Sequence, residues 1–289
     1  MSSASASATV IAEPFNELFA IRYQHDRELH DARELATAAC MKSRGFDYRP
    51  RDYVKPLRES RRIGDEQYAT REGFGLSPDG PPLVSQSPDE LRTLGPAAAA
   101  AWTEAYFGRR IDPQQIANGQ SADKSIVVID NGEDGVVYFR KDSCIAAGRQ
   151  AVEGDLVEWS AVDGKLQSMR NDVIRAVESD PRYVEAMTGW ASCMREAGYG
   201  AKSRQEQIEE LLKAIDLEGG KSGSLKEREI AVATSSARCE VSLGIGPLYQ
   251  SLLNEHQEVV GRVNEGTILR FQELEREAEK RAEELLSRR

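Results

Sequence analysis

Histidine is scarce in this chain: His25, His30 and His256 are the three among 289 residues. His25 and His30 stand five apart, on different faces of a helix, so they are not expected to pair on a metal, and solvated histidines are the default. Cysteine is nearly as sparse, with Cys40, Cys144, Cys193 and Cys239 widely spaced. No Cys-x-x-Cys or Cys/His cluster occurs, which argues against a zinc site or a thioredoxin-type redox motif. No run of about 18 apolar residues exists to span a bilayer as a helix. Basic charge is in deficit, 38 Lys plus Arg against 48 Asp plus Glu for a net charge of −10. That balance opposes binding to a phosphate backbone, and no nucleic-acid partner is expected.

Several chemical motifs are missing or fail on inspection. No Gly-x-Ser-x-Gly nucleophile turn is present. "LEGGKSGS" contains Gly-Lys-Ser, but Ile215 stands where a phosphate loop needs its first glycine, and a helix is expected where the loop needs a strand. It reads as a linker between helices. "DNGEDG" sets Asp130, Asp134 and Gly135 at calcium-loop offsets, yet Lys141 occupies the position of the bidentate glutamate and no helices flank it. It reads as a hairpin turn. No catalytic residue, metal or cofactor is expected, and carboxylates are too numerous for any pair to stand out.

What is present is helical punctuation. At 40% hydrophobic residues the chain can bury a substantial core. From residue 13 to 43, Phe15, Leu18, Phe19, Leu29, Ala32, Ala36 and Cys40 fall largely at helical spacing, and Gly45 supplies the stop. Ser87, Pro88 and Glu90 form a capping box, and "GPAAAAAWTEAYFG" continues as a further short helix. Asp180-Pro181 starts the helix carrying Trp190 and Cys193, and Ser203/Glu206 and Ser224/Glu227 are two more boxes. From about Pro247 to the end a single long, charged helix is expected. The exception is "SIVVIDNGEDGVVYFRK", residues 125 to 141, whose β-branched runs flank a Gly/Asn/Asp turn and predict a β-hairpin centred on Asn131 and Gly132. The remainder, chiefly residues 47 to 86, reads as loop. The fold class is therefore mainly α, a disulfide-linked helical domain with one small β-hairpin and a long C-terminal helix.

One phrase occurs twice. "AACMKSRGFDY" at 38 to 48 and "ASCMREAGYGA" at 191 to 201 both read Cys-Met, three variable residues, Gly, aromatic. In each a helix presents Cys and Met on its closing turns, Gly takes the left-handed cap, and the aromatic folds back on the helix end. Four free thiols in a reducing compartment would read the same from the count. The repeat, the even number and the N-terminus favour two disulfides. Three connectivities are open to four cysteines, and the symmetry of the repeat selects Cys40 with Cys144 and Cys193 with Cys239. The N-terminal "MSSASASATVIAEP" lacks the basic and apolar regions of a signal peptide. It reads as a flexible Ser/Ala spacer of the kind that follows a cleavage site, though a frayed terminus looks alike.

The succession "CMKSRGFDY", "YATREGFGLS", a Cys before a small-residue helix, "WASCMREAGY" and "EREIAVATSSARC" resembles a family of uncharacterised actinobacterial exported proteins, many of them lipoprotein-like. The likeness covers roughly residues 30 to 270; "EGFG" departs from that family's more aromatic segment, and no leader stands in the given sequence. The resemblance implies an extracytoplasmic helical protein held by two disulfides, secreted or lipid-anchored, with an envelope or transporter protein as partner, and it implies no catalytic residue. The expected function is a non-enzymatic extracytoplasmic binding or accessory protein, associated with a transporter or peptide-resistance system; the alternative is a structural protein that oligomerises through its C-terminal helix. The expected organisation is a spacer at 1–12, a helical domain at 13–269 and a charged helical extension at 270–289. A locally basic stretch at 46 to 62 offers the candidate ligand-facing residues Arg49, Arg51, Tyr53, Arg58, Arg61 and Arg62, suited to lipid headgroups, wall polymers or an acidic peptide. The plainer reading of this stretch is arginines paired with acids on a surface loop.

Overall fold

The computed structural model describes residues 15–53, 63–76, 91, 94–112, 116–117, 120–121, 123–130, 135–217 and 223–288, with side chains in the first helix from residue 27 onward. Among these residues lie ten helices. They are α1 (Phe15–Ser43), α2 (Glu66–Glu72), α3 (Pro96–Phe107), α4 (Cys144–Glu153), α5 (Leu156–Ser179), α6 (Pro181–Glu196), α7 (Arg204–Leu217), α8 (Gly223–Ser242), α9 (Ile245–Val263) and α10 (Glu265–Leu286). Two antiparallel strand pairs join them: β1 (Ile116–Ala117) with β2 (Gln120–Ser121), and β3 (Ile126–Asp130) with β4 (Val136–Arg140). The chain forms two compact units, one of residues 1–56, 87–172 and 257–289, the other of 57–86 and 173–256.

In the first unit, Leu29 and Ala32 of α1, Val152 of α4, Trp159, Leu166 and Met169 of α5, and Ile268, Phe271, Leu274, Ala278 and Ala282 of α10 make one buried cluster. Trp159 and Phe271 meet with ring centroids 5.8 Å apart. Helix α4 crosses α1 so closely that a Cβ on Gly148 would lie 2.0 Å from Thr37 Oγ1. Glu153, 3% exposed, ends α4 between Arg33 at 3.0 Å and Arg149 at 2.7 Å. Arg281 of α10 donates from Nε to the Val152 carbonyl at 2.7 Å and from Nη2 to that of Glu153 at 3.1 Å. Carbonyls that a helix end leaves open are thereby satisfied by a cation, the charge that end favours.

In the second unit, Trp190 and Met194 of α6, Leu211 of α7, Val232 and Cys239 of α8 and Ile245 of α9 share a cluster with Phe74 and Tyr199 at its edge. Two buried carboxylates of α8 accept backbone N–H groups from residues 63–76: Gly64 N donates to Glu240 Oε2 at 2.6 Å and Leu76 N to Glu229 Oε1 at 2.9 Å. A Cβ on Gly73, where φ is 68°, would stand 2.7 Å from Glu229 Oε1, so glycine is what lets this turn seat against the acid. Trp190 Nε1 donates to Ser236 Oγ at 3.3 Å, and Ser236 in turn to Glu240 Oε1 at 3.0 Å.

The repeated phrase closes two helices in the same way. Phe46 N donates to Met41 O at 3.0 Å and Gly45 N to Lys42 O at 3.0 Å; Tyr199 N donates to Met194 O at 2.8 Å and Gly198 N to Arg195 O at 3.0 Å. With φ of 82° at Gly45 and 92° at Gly198, both are Schellman closures. Met41 and Met194 are fully buried, each clustered with its aromatic partner. The cysteine one residue before each Met is bridged, Cys40 to Cys144 and Cys193 to Cys239, with Cα atoms 5.4 and 5.8 Å apart. The pairing drawn from the repeat is the one observed. Disulfides of this kind persist in oxidising, extracytoplasmic surroundings, and no described helix is long and apolar enough to cross a membrane.

Several expectations change. The expected single helix from Pro247 is two, α9 and α10, separated at Asn264, which is not helical (φ −113°, ψ 19°). The division at residue 270 is not seen: Phe271, Leu274, Ala278 and Ala282 are all 3% exposed or less, within the cluster that holds α1. Ala278 and Ala282 are small enough to let α10 pack closely in this cluster. Helix α2 forms inside a stretch read as loop, capped by Asp65 Oδ1, which accepts from Tyr68 N at 2.9 Å. Ser203 caps α7 as expected, accepting from Glu206 N at 3.1 Å, while Glu206 reaches back to Lys202 N at 2.7 Å. Helix α8 starts at Gly223, so Ser224 lies inside it. The hairpin forms in the predicted place, but its turn at Asn131, Gly132 and Asp134, the box at Ser87, the linker's Gly219 and Gly220 and the segment 1–12 lie outside the described residues.

Gly45→Ala should lower stability by about 1 kcal/mol, because a left-handed backbone is strained for alanine while its Cβ would meet nothing within 4 Å. Gly148→Ala should cost clearly more, since helices α1 and α4 must move apart to admit the methyl group. Urea midpoints of the two variants decide the order; equal midpoints would contradict the close crossing.

Candidate functional site

The chain leaves α1 at Gly45 and runs over α1 and α3, and here the basic stretch begins. Tyr48 stacks on Tyr106 at 5.4 Å between centroids, and Tyr106 on Trp102 at 5.0 Å. The Tyr48 hydroxyl donates to Glu34 Oε2 at 2.6 Å, and Arg51 N donates to the same oxygen at 2.8 Å. Burial first, and then the bond to Glu34, push the Tyr48 phenol well above its ordinary value. The Arg51 guanidinium lies 5.1 Å from the Tyr106 centroid, a cation over an aromatic face. His30 Nε2 bonds to the Arg51 carbonyl oxygen at 3.0 Å, and its ring meets Tyr53 edge-on at 5.5 Å. His30 is therefore part of the packing and not a solvated residue.

Of the candidate ligand-facing residues, Arg49 is exposed, whereas Arg51 and Tyr53 are half-buried against Tyr106 and His30. Arg58, Arg61 and Arg62 lie outside the described residues. The described half of the stretch is thus fastened to the fold by its aromatics, and its Arg51 faces inward.

A different group of charges surrounds an open polar cavity of about 420 Å³ in the same unit. Its lining comes from the end of α1 (Arg44), the end of α3 and the turn after it (Glu104, Gly108, Arg109), the turn before β3 (Asp123, Ser125) and the end of β4 with its following turn (Arg140, Asp142). Arg140, 8% exposed, forms the wall. It donates from Nε to Asp142 Oδ1 at 2.8 Å and from Nη2 to Asp142 Oδ2 at 2.7 Å, the two-pronged geometry in which a guanidinium holds a carboxylate most firmly. Nη1 reaches Asp123 Oδ2 at 3.0 Å, and Nη2 also reaches Ser125 Oγ at 2.6 Å. A Cβ on Gly108 would fall 2.7 Å from Arg140 Cδ, so this glycine, at φ 81°, makes room for the wall.

These contacts fix protonation. The Ser125 hydroxyl at 2.6 Å and its N–H at 2.9 Å, helped by Arg140, hold Asp123 down to about 2. Hydrogen bonds from Arg140 hold Asp142 below the usual carboxylate range, and the same bonds hold Arg140 above its own. Arg109 Nε pairs with Glu104 Oε1 at 3.0 Å. Arg44 differs: it donates to two main-chain carbonyls, Ala105 O at 3.4 Å and Asp142 O at 2.7 Å.

Two faint pointers to this cavity are legible in the sequence. Arg44 sits inside the repeated phrase, and Arg140, Lys141 and Asp142 close the predicted hairpin just before Cys144. Neither marks a site, since Glu104 and Asp123 arrive from elements remote in sequence.

Because Asp123 is depressed in the folded protein relative to about 3.9 when unfolded, its contribution to stability is present above that unfolded value and is lost as pH falls through about 2. Ser125→Ala removes the leading cause and should raise the Asp123 midpoint toward the ordinary range and shrink the acid-linked loss. Carboxyl-resolved NMR titration measures both; an unchanged midpoint would contradict the assignment.

The chain matches no protein-family model, no curated protein and no solved structure.

Proposed function

We propose that this chain is a non-enzymatic, extracytoplasmic binding or accessory protein of the cell envelope, secreted or held there by a lipid anchor and serving a transporter or a peptide-resistance system, with the Arg140 cavity as its binding site. The observation that carries the reading is the pair of disulfides, one within each compact unit. Such bonds form and persist where thiols are not kept reduced.

The state of the cavity supports binding over proton-transfer chemistry. A general acid or base works best with a pKa near the operating pH. Asp123 and Asp142 are shifted down and Arg140 up, away from neutrality, which suits groups that hold charge better than groups that trade protons. The oligomerising alternative has less apolar surface to draw on, because Phe271, Leu274, Ala278 and Ala282 of α10 are packed within their own unit.

Directed to an oxidising compartment, the full chain should contain no alkylatable thiol, and peptide mapping should return Cys40 linked to Cys144 and Cys193 to Cys239. Cys193→Ser should cost roughly 2–4 kcal/mol and leave Cys239 as the single free thiol. Four alkylatable thiols in exported protein would sink the extracytoplasmic reading.

A further inference from the structure

We infer that the Arg140 cavity takes a small zwitterion, a molecule of one or two residues carrying both an ammonium and a carboxylate, of which a free α-amino acid is the simplest. This deepens the binding reading above and rests on it.

The argument starts from where the lining charges stand. The lining has three guanidiniums, Arg44, Arg109 and Arg140, and three carboxylates, Glu104, Asp123 and Asp142, so its net charge is nil but its distribution is uneven. Arg140 is one cation serving two carboxylates, and that corner keeps an excess of negative charge. Asp123 and Asp142 are about half exposed, at 46% and 51%, and their oxygens retain lone pairs that can accept further N–H donors. Arg109 and Glu104 offset each other. Arg44 meets only carbonyl oxygens, so its charge is unmatched by a carboxylate among the described residues, and its remaining N–H groups can donate.

The two poles are adjacent. Arg44 Nη2 lies 2.7 Å from the main-chain oxygen of Asp142, the residue whose side chain carries part of the negative excess. A wholly anionic ligand drawn to Arg44 would face the aspartates, and a wholly cationic ligand drawn to the aspartates would face Arg44. Like charges brought together disfavour each, as in sites that reject the wrong partner by repulsion. A ligand with both charges close together places its carboxylate on Arg44 and its ammonium on Asp123 and Asp142, completing charge-assisted bonds at both poles.

The wall is held before any ligand arrives. Arg140 is fixed by four hydrogen bonds and seated beside Gly108, so little ordering is left for binding to supply. At about 420 Å³ the open cavity has room for a molecule of one or two residues.

The test uses the full chain with both disulfides formed, titrated with alanine and Ala-Ala while amide and guanidinium shifts are followed by NMR. N-acetylalanine, alaninamide and inorganic phosphate are the comparison probes. We expect alanine or Ala-Ala to perturb Arg44, Asp123 and Asp142, each single-charge analogue to bind at least 10-fold more weakly, and Arg44→Gln to weaken the zwitterion at least 10-fold. The stronger of alanine and Ala-Ala tells whether one residue or two fill the space. Because the analogues act on the unaltered protein, the test stands even where Arg44→Gln fails to fold. N-acetylalanine, alaninamide or phosphate binding as tightly as the better of alanine and Ala-Ala would overturn the zwitterion and leave the cavity a binding site. Failure of every probe to move the lining residues would overturn the zwitterion and the binding reading of the cavity together.

Discussion

Everything else in the structure depends on how two helices are stopped. Each unit is assembled from segments far apart in the chain, and bringing distant segments together costs entropy that grows with the length of the loop. The disulfides span 104 and 46 residues, and on the chain-entropy argument each removes about 4–5 kcal/mol of that cost from the unfolded side. A bridge contributes this only if its two cysteines are presented at a fixed place. Here the place is fixed by glycine in the left-handed region, a methionine with no exposure behind it, and an aromatic folded over the end.

The same closure sets the course of the chain beyond it. Once Gly45 turns the backbone, Phe46 and Tyr48 are drawn into the cluster with Trp102 and Tyr106, and residues 46–53 return along α1 to meet Glu34 and His30. Arg44, the last residue before the turn, is thereby aimed at Ala105 and Asp142. The covalent anchor, the aromatic packing and the cavity are consequences of one helix end.

Local signals in the sequence were legible where a few neighbouring residues settle the outcome. Proline and Asp180 start α6, Ser203 starts α7, β-branched runs pair as β3 and β4, and the repeat names the sulfur partners. What escaped depends on tertiary partners. A charged helix with Ala278 and Ala282 on one face looks solvated until a second helix is close enough for alanine to be the right size. The segment holding α2 looks irregular because its order comes from Glu229 and Glu240, more than 150 residues away. In the described half of the basic stretch, arginine and tyrosine suit a ligand surface, but the same pair also packs as a cation on a ring, and Arg51 does so on Tyr106. The cavity escaped for the same reason, since Arg44, Glu104, Asp123 and Arg140 share no local pattern.

Buried acids connect these observations. Glu153, Glu229 and Glu240 are each under 5% exposed in a chain of net charge −10. Burying a carboxylate is costly unless it is paired or accepts hydrogen bonds. Glu153 is answered by two arginines, and Glu229 and Glu240 by main-chain N–H groups that would otherwise lack partners. The segment around Gly73 and the helix around Glu229 and Cys239 are therefore two sides of one contact, and their distinctive residues are explained by holding the second unit together. The phrase around Cys193 is explained likewise. The charges around the Arg140 cavity answer no buried acid of this kind. The charge of Arg44 is spent on two carbonyls that a neutral donor would satisfy equally well, beside carboxylates already committed to Arg140. The carboxylate of the zwitterion proposed above would give that charge a partner of its own.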